Sequence, residues 1–108
     1  MRDRRLSFVA GLILVCGMVA PAASRTFACP DFLRMHGFLR QATAACRFSA
    51  FNPAIVEQAR ECFEEVGSSI GATEIYSGAA QFDRLAAYRN LDAVCAGLST
   101  KFPTVVRP

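Results

Sequence analysis

The sequence has no tryptophan, a single histidine and a single lysine, and it has no pair of closely spaced cysteines. The absence of C-x-x-C excludes the thioredoxin-type redox motif and the c-type haem attachment motif. A zinc site built from closely spaced cysteine pairs is excluded as well. No phosphate-binding loop, dinucleotide-binding glycine pattern or nucleophile elbow occurs. The sequence therefore predicts no catalytic residue, no metal and no cofactor, and we expect a protein that is not an enzyme.

The charge balance also excludes one class of partner. Twelve basic and nine acidic residues give a formal net charge of +3. Three of the arginines, however, lie within the first five residues, in a segment that we expect to be removed, and the remainder is nearly neutral. Proteins that bind nucleic acids need clustered basic residues to neutralise phosphates. We therefore expect no nucleic-acid partner.

The N-terminal segment has the three parts of a secretory signal peptide. A basic start at residues 1–5 precedes an apolar run at 6–20 and a small-residue stretch that contains Ala22 and Ser24. We predict cleavage after Ala22, with cleavage after Ser24 as the alternative. The apolar run is shorter than the roughly 20 residues that a membrane-spanning helix needs, so we expect no membrane anchor after cleavage. The prediction is a signal peptide at 1–22, a single domain at 23–108 and a periplasmic or secreted location.

The cysteines support the same conclusion by their number. Five cysteines occur, and removal of the leader takes Cys16 away and leaves an even set: Cys29, Cys46, Cys62 and Cys95. An even number in a small exported domain predicts two disulfide bonds formed in an oxidising compartment.

The apolar residues of the remaining chain recur at helical spacing, which predicts an all-α, three-helix bundle stapled by disulfides. The helices are expected at about 30–47, 53–71 and 74–100, followed by a frayed tail at 103–108. Pro30 and Pro53 mark the first two starts, because proline is favoured at the first helical position. Ser77 and Gly78 offer a break that would divide the third helix and give four.

The expected topology ranks the disulfide pairings without deciding between them. In an up-down-up bundle the ends of the first and third helices lie at the same pole, which favours Cys46–Cys95 together with Cys29–Cys62. The rival pairing is Cys29–Cys95 with Cys46–Cys62, and four cysteines allow three connectivities in all.

The remaining functional candidates each have a plain structural interpretation. Phe48 and Phe51 flank a turn between helices, where they either form an exposed binding patch or close the end of the core; the second is favoured. An acidic ridge on the second helix is most simply a solvated face, and His36 has no partners for acid–base chemistry. The ridge consists of Glu57, Glu61, Glu64 and Glu65.

These observations predict a small exported helical module that acts by binding. Its expected partner is a protein, and a stress-protective role is one form of that function. Two alternatives stay open. One is a small enzyme or redox protein that uses a labile disulfide, and the other is a secreted effector or protein inhibitor. The oligomeric state is not predicted.

Overall fold

The computed structural model describes residues 27–108. The predicted signal peptide at 1–22 and its cleavage site after Ala22 lie outside the described residues. Within 27–108 the chain forms a disulfide-stapled bundle of four helices with one two-stranded ribbon. The elements are α1 (Cys29–Cys46), β1 (Ala50–Phe51), α2 (Pro53–Val66), α3 (Ser68–Tyr88), α4 (Leu91–Lys101) and β2 (Val106–Arg107).

Helix α1 begins and ends at recognisable local signals. Pro30 occupies the first turn and Asp31 places a negative charge at the positive end of the helix dipole. The helix ends at Cys46, and the C-cap residue Arg47 adopts a left-handed conformation with φ of 57°. In this geometry the Arg47 N–H donates to the Ala44 carbonyl oxygen, which satisfies a carbonyl that the helix leaves without a partner.

Helix α2 is shorter than predicted, and α3 begins earlier. The predicted second helix ran to Gly71 and the third began at 74, but α2 ends at Val66 and α3 starts at Ser68. The single intervening residue is Gly67, whose φ of 91° is accessible to glycine and strained for other residues. This one residue reverses the chain and folds α3 back onto α2.

The predicted third helix is divided, but not at Ser77 and Gly78, which lie inside α3. The break falls at Arg89, in extended conformation, and at Asn90, whose Oδ1 accepts a hydrogen bond of 3.0 Å from the Ala93 N–H. Asn90 is therefore the N-cap of α4. A side chain that satisfies the first turn of a new helix makes the interruption favourable at this point.

The C-terminal tail is paired, and the prediction that residues 103–108 fray was wrong. Strand β2 runs antiparallel to β1, with Phe51 opposite Val106. Val106 is almost fully buried, and Asn52 Nδ2 donates a 2.8 Å hydrogen bond to the Thr104 carbonyl oxygen. The ribbon ties the end of the chain to the turn that follows α1.

Two disulfide bonds connect the helices, and they are the pairing that the topology favoured. Cys29–Cys62 joins α1 to α2 with a Cα–Cα distance of 5.1 Å, and Cys46–Cys95 joins α1 to α4 at 5.6 Å. Each bond lies in or against one of two apolar clusters, which together form the core. The first cluster contains Cys29, Phe32, Leu33, Ala59 and Cys62, and the second contains Leu39, Ala42, Phe82, Val94 and Leu98.

Helices α1 and α3 cross at two glycines. A Cβ atom at Gly78 would lie 2.8 Å from both the Arg34 carbonyl carbon and the Phe38 amide nitrogen, and one at Gly37 would lie 2.8 Å from the Ile75 carbonyl carbon. Real side chains do not approach backbone atoms so closely, so only glycine fits at these positions. The two helices therefore touch backbone to backbone. In the part of the chain that the structure describes, no helix is both long enough and apolar enough to cross a bilayer.

Candidate functional site

An open groove runs between α1 and the C-terminal half of α3. It has a volume of about 480 Å³ and is lined by Phe38 from α1 and by Gln81, Arg84, Leu85 and Tyr88 from α3. The four α3 residues follow the spacing i, i+3, i+4 and i+7, which places them on one face of the helix. We call this feature the α1–α3 groove.

The α1–α3 groove has an apolar floor that is anchored to the core. The Phe38 ring meets the buried Phe82 ring edge to face, with 5.5 Å between centroids and an interplanar angle of 82°. Phe38 and Leu85 are both half-buried and pack against the second apolar cluster. Tyr88, in contrast, is 88% exposed. The groove thus presents an apolar surface that is anchored to the core and one large aromatic side chain that residues 27–108 leave exposed.

The α1–α3 groove carries a positive charge that has no carboxylate partner among the described residues. The Arg84 side chain lines the groove and makes no ion pair or hydrogen bond with any of residues 27–108, and the same holds for the side chain of Arg89, which follows Tyr88. The nearest acidic neighbour in sequence, Asp83, instead accepts a 2.9 Å hydrogen bond from Gln41 of α1. An arginine beside apolar and aromatic surface suits recognition of a carboxylate.

Arg34 and Arg60 have carboxylate partners, whereas Arg40 of α1 makes no ion pair within residues 27–108 and lies over the Phe51 ring. Arg34 donates to Glu74 at 2.9 Å and to Asp31 at 3.1 Å, and the hydrogen bond with Glu74 is the main reason that the pKa of Arg34 is raised. Arg60 pairs with Glu57 and, at 2.8 Å, with Glu64 on the same helix. Its hydrogen bond lowers the pKa of Glu57. Arg84, the arginine that lines the groove, differs from Arg34 and Arg60 in having no carboxylate partner within residues 27–108.

A second pocket, of about 300 Å³, lies where α1, α2 and α3 meet and contains His36. The imidazole stands edge-on to the Phe51 ring at 5.7 Å, and its Nδ1 atom is buried with no hydrogen-bond partner. Burial lowers the pKa of His36, and the nearby charge of Arg40 lowers it further. The carboxylate in this pocket belongs to Glu64, which is bound to Arg60 rather than to the imidazole. Among residues 27–108, no group is placed to act with His36 in acid–base catalysis.

A further pocket, of about 230 Å³, lies beside the β-ribbon. Asn52 closes one side of it through the hydrogen bond to Thr104, and its own Oδ1 accepts from the Ala54 N–H as the N-cap of α2. The side chains of this pocket are therefore used to hold the ribbon and begin a helix.

The predicted candidates fall mainly in structural positions. Phe48 and Phe51 are half-buried and pack against the second apolar cluster, where they cover the end of the core. Arg40 lies over the Phe51 ring at 4.9 Å, which covers it further. On the acidic ridge, two of the four glutamates pair with Arg60, and no group of residues within 27–108 is arranged to hold a metal ion.

The α1–α3 groove itself is not apparent in the sequence pattern. Leu85 and Tyr88 continue the helical spacing of buried residues, which predicts that both face the core, as does Leu91 beyond them. The structure buries Leu85 only in part and leaves Tyr88 exposed, because α3 ends at Tyr88 and the extended backbone of Arg89 separates it from α4. The signal that marks this change is Asn90, a residue favoured at N-caps.

Comparison with known proteins gives no match for this chain among protein-family models, curated proteins or solved structures.

Proposed function

We propose that the protein is a small exported helical module without enzymatic activity, which works by binding another protein through the α1–α3 groove. The observation that carries this proposal is Tyr88, a large aromatic side chain left 88% exposed beside an apolar floor and an unpaired arginine. Tyrosine and arginine are enriched at the centres of protein interfaces, where they contribute a large share of the binding energy.

The proposal of export rests on the disulfide bonds and on the N-terminal sequence. Two disulfides that join separate helices are typical of small domains in oxidising compartments. Fractionation of the producing cell tests this part. We expect the protein in the envelope or the medium, starting at Ala23 and without free thiols. Recovery from the cytosol with four reactive cysteines in 27–108 would contradict export.

Site-specific photo-crosslinking in the producing cell tests the binding function. A benzophenone side chain replaces Tyr88 in one variant and Tyr76 in the other. Tyr76 is the matched control, because it is 76% exposed on the same helix but lies outside the α1–α3 groove. We expect a protein adduct from position 88 and none from position 76. Identical adduct patterns, or no adduct from either, would remove the binding proposal.

The number of adducts separates two forms of the function. A stress-protective protein that binds unfolded chains would crosslink to many proteins, and it would suppress their aggregation when purified. A dedicated binding module or inhibitor would crosslink to one protein at a defined residue, which mass spectrometry of the adduct identifies.

A further inference from the structure

The shape of the α1–α3 groove limits what it binds. Its α3 wall extends from Gln81 to Tyr88, two helical turns or about 10 Å, and the groove is open to solvent along this length. Small-molecule sites are usually concave and bury most of the ligand surface. An open groove between two helices instead matches the way an amphipathic helix is bound, with its apolar residues at i, i+3, i+4 and i+7 laid along the floor.

The residues of the groove provide anchors for such a helix. Phe38 and Leu85 form an apolar surface that is held in place by contact with Phe82 and the second cluster. A preformed surface loses little conformational freedom on binding, which favours affinity. Tyr88 adds an aromatic side chain with a hydroxyl group at the end of the groove, suited to contacts that are apolar on one side and polar on the other.

The charge of the groove specifies the sign of its partner. Arg84 lines the groove and has no acidic partner within 27–108, and no carboxylate side chain of this range lines the groove, whereas Arg34 and Arg60 are each paired with two carboxylates. Asp83, which precedes Arg84, makes no ion pair with it and instead accepts a hydrogen bond from Gln41 of α1. A partner with acidic side chains beside its apolar stripe would be attracted during approach and paired once bound, and a basic one would be repelled.

We infer that the α1–α3 groove binds an acidic amphipathic helix of a partner protein, with apolar side chains of that helix on Phe38 and Leu85 and carboxylates at Arg84. This inference rests on the proposed binding function and adds the chemistry of the partner to it. The occupant is thus defined by an apolar stripe and by glutamate or aspartate residues along the edge of that stripe.

Peptide binding to the oxidised protein recovered from its producing cell tests the inference. The probes are two fluorescent 18-residue amphipathic peptides with the same leucine and phenylalanine stripe, one flanked by glutamates and the other by lysines at the same positions. We expect the acidic peptide to bind about tenfold more tightly than the basic one in low salt, with the difference falling as salt screens the charges.

Matched variants assign the binding to the groove. We expect Tyr88→Ala to weaken binding of the acidic peptide about tenfold, and Arg84→Glu to reverse the preference between the two peptides. Tyr76→Ala and Arg107→Glu, which alter an exposed tyrosine and an exposed arginine outside this groove, should change affinity by less than about twofold. Intact disulfides and an unchanged helical circular-dichroism spectrum confirm that each variant is folded.

Several results would overturn the inference. In the peptide assay these are equal affinity for the two peptides and equal loss of binding in Tyr76→Ala and Tyr88→Ala. With other ligands it is tighter binding of anionic vesicles or palmitate than of the acidic peptide. In a measurement of oligomeric state it is a dimer that Tyr88→Ala dissociates. If crosslinking from position 88 still yields a protein adduct, these results correct the chemistry of the partner and leave the binding function intact. Loss of the adduct would instead remove the function itself.

Discussion

The glycine contact between α1 and α3 allows a sharp test of the fold, because two glycine substitutions should change stability in opposite directions. At Gly78 an added methyl group would meet backbone atoms of Arg34 and Phe38 at 2.8 Å. Backbone atoms cannot move aside by changing a rotamer, so the helices must separate. Overpacking of this kind costs about 3 kcal/mol at the upper end of its usual range. Alanine recovers about 1 kcal/mol of helix propensity.

We therefore expect Gly78→Ala to lower the free energy of unfolding by about 2 kcal/mol, which lowers the melting temperature of a domain of this size by roughly 10 °C. The matched control is Gly97→Ala in α4, where an added Cβ has no neighbouring atom within 4 Å. Only the propensity gain applies there, so stability should rise by about 1 kcal/mol. Gly71→Ala should be intermediate, because its neighbour is the Phe63 ring, which can shift.

The assay is urea and thermal unfolding of the three oxidised variants beside the wild type, followed by far-ultraviolet circular dichroism. The reasoning depends on the order of stability, with Gly97→Ala highest and Gly78→Ala lowest. An increase in stability for Gly78→Ala equal to that for Gly97→Ala would show that the two helices are not in backbone contact. If Gly78→Ala does not accumulate as folded protein, the order of the other two variants still tests the steric argument at the contact between Gly71 of α3 and Phe63 of α2.

Three further predictions concern the disulfides, the histidine and the caps. Graded reduction with thiol trapping should open Cys46–Cys95 before Cys29–Cys62, because the first bond is partly exposed and the second is buried; equal resistance would count against a labile redox bond. His36, the single histidine, should titrate below 6.5 by NMR, because burial lowers its pKa. The neutral form of His36 is favoured in the folded state, so its contribution to stability is complete above pH 6.5 and is lost as the pH falls toward the folded pKa. The substitution His36→Gln should reduce the pH dependence of the free energy of unfolding in that interval. A measured pKa at or above 6.5 would contradict the burial argument. Asn90→Ala should lower the free energy of unfolding by about 1 kcal/mol through loss of its N-cap, and Asn52→Ala should lower it further because Asn52 also holds the ribbon. Equal losses in urea unfolding would mean that the ribbon does not contribute to stability.

The features that could be predicted from the sequence have strong local or numerical signals. Pro30 and the pair formed by Asn52 and Pro53 mark helix starts by their own chemistry, and the structure begins α1 and α2 there. Helix order placed the observed disulfide pairing first, since an up-down-up arrangement brings Cys46 to the same pole as Cys95, but it left the rival pairing open. These inferences needed no information about how side chains pack.

The features that were missed depend on contacts between distant residues. Gly67 and Gly71 both offer a helix end, and only packing against Phe63 selects Gly67 as the turn and Gly71 as a contact residue. The pairing of Phe51 with Val106 involves strands of two residues, which are too short to show an alternating pattern. At Gly78, sequence patterns predicted a break, but the missing side chain serves instead to let α3 approach α1.

The α1–α3 groove could not be predicted from the sequence for a similar reason, which concerns the junction between α3 and α4. Leu91 continues the spacing of Leu85 and Tyr88, so the periodic pattern gives no sign that the helix is interrupted at Arg89 and Asn90. The Cys46–Cys95 bond then holds α4 against α1, where Val94 and Leu98 complete the second apolar cluster. Because α4 packs on that side of the bundle, it does not cover Tyr88, which stays exposed beside the half-buried Leu85.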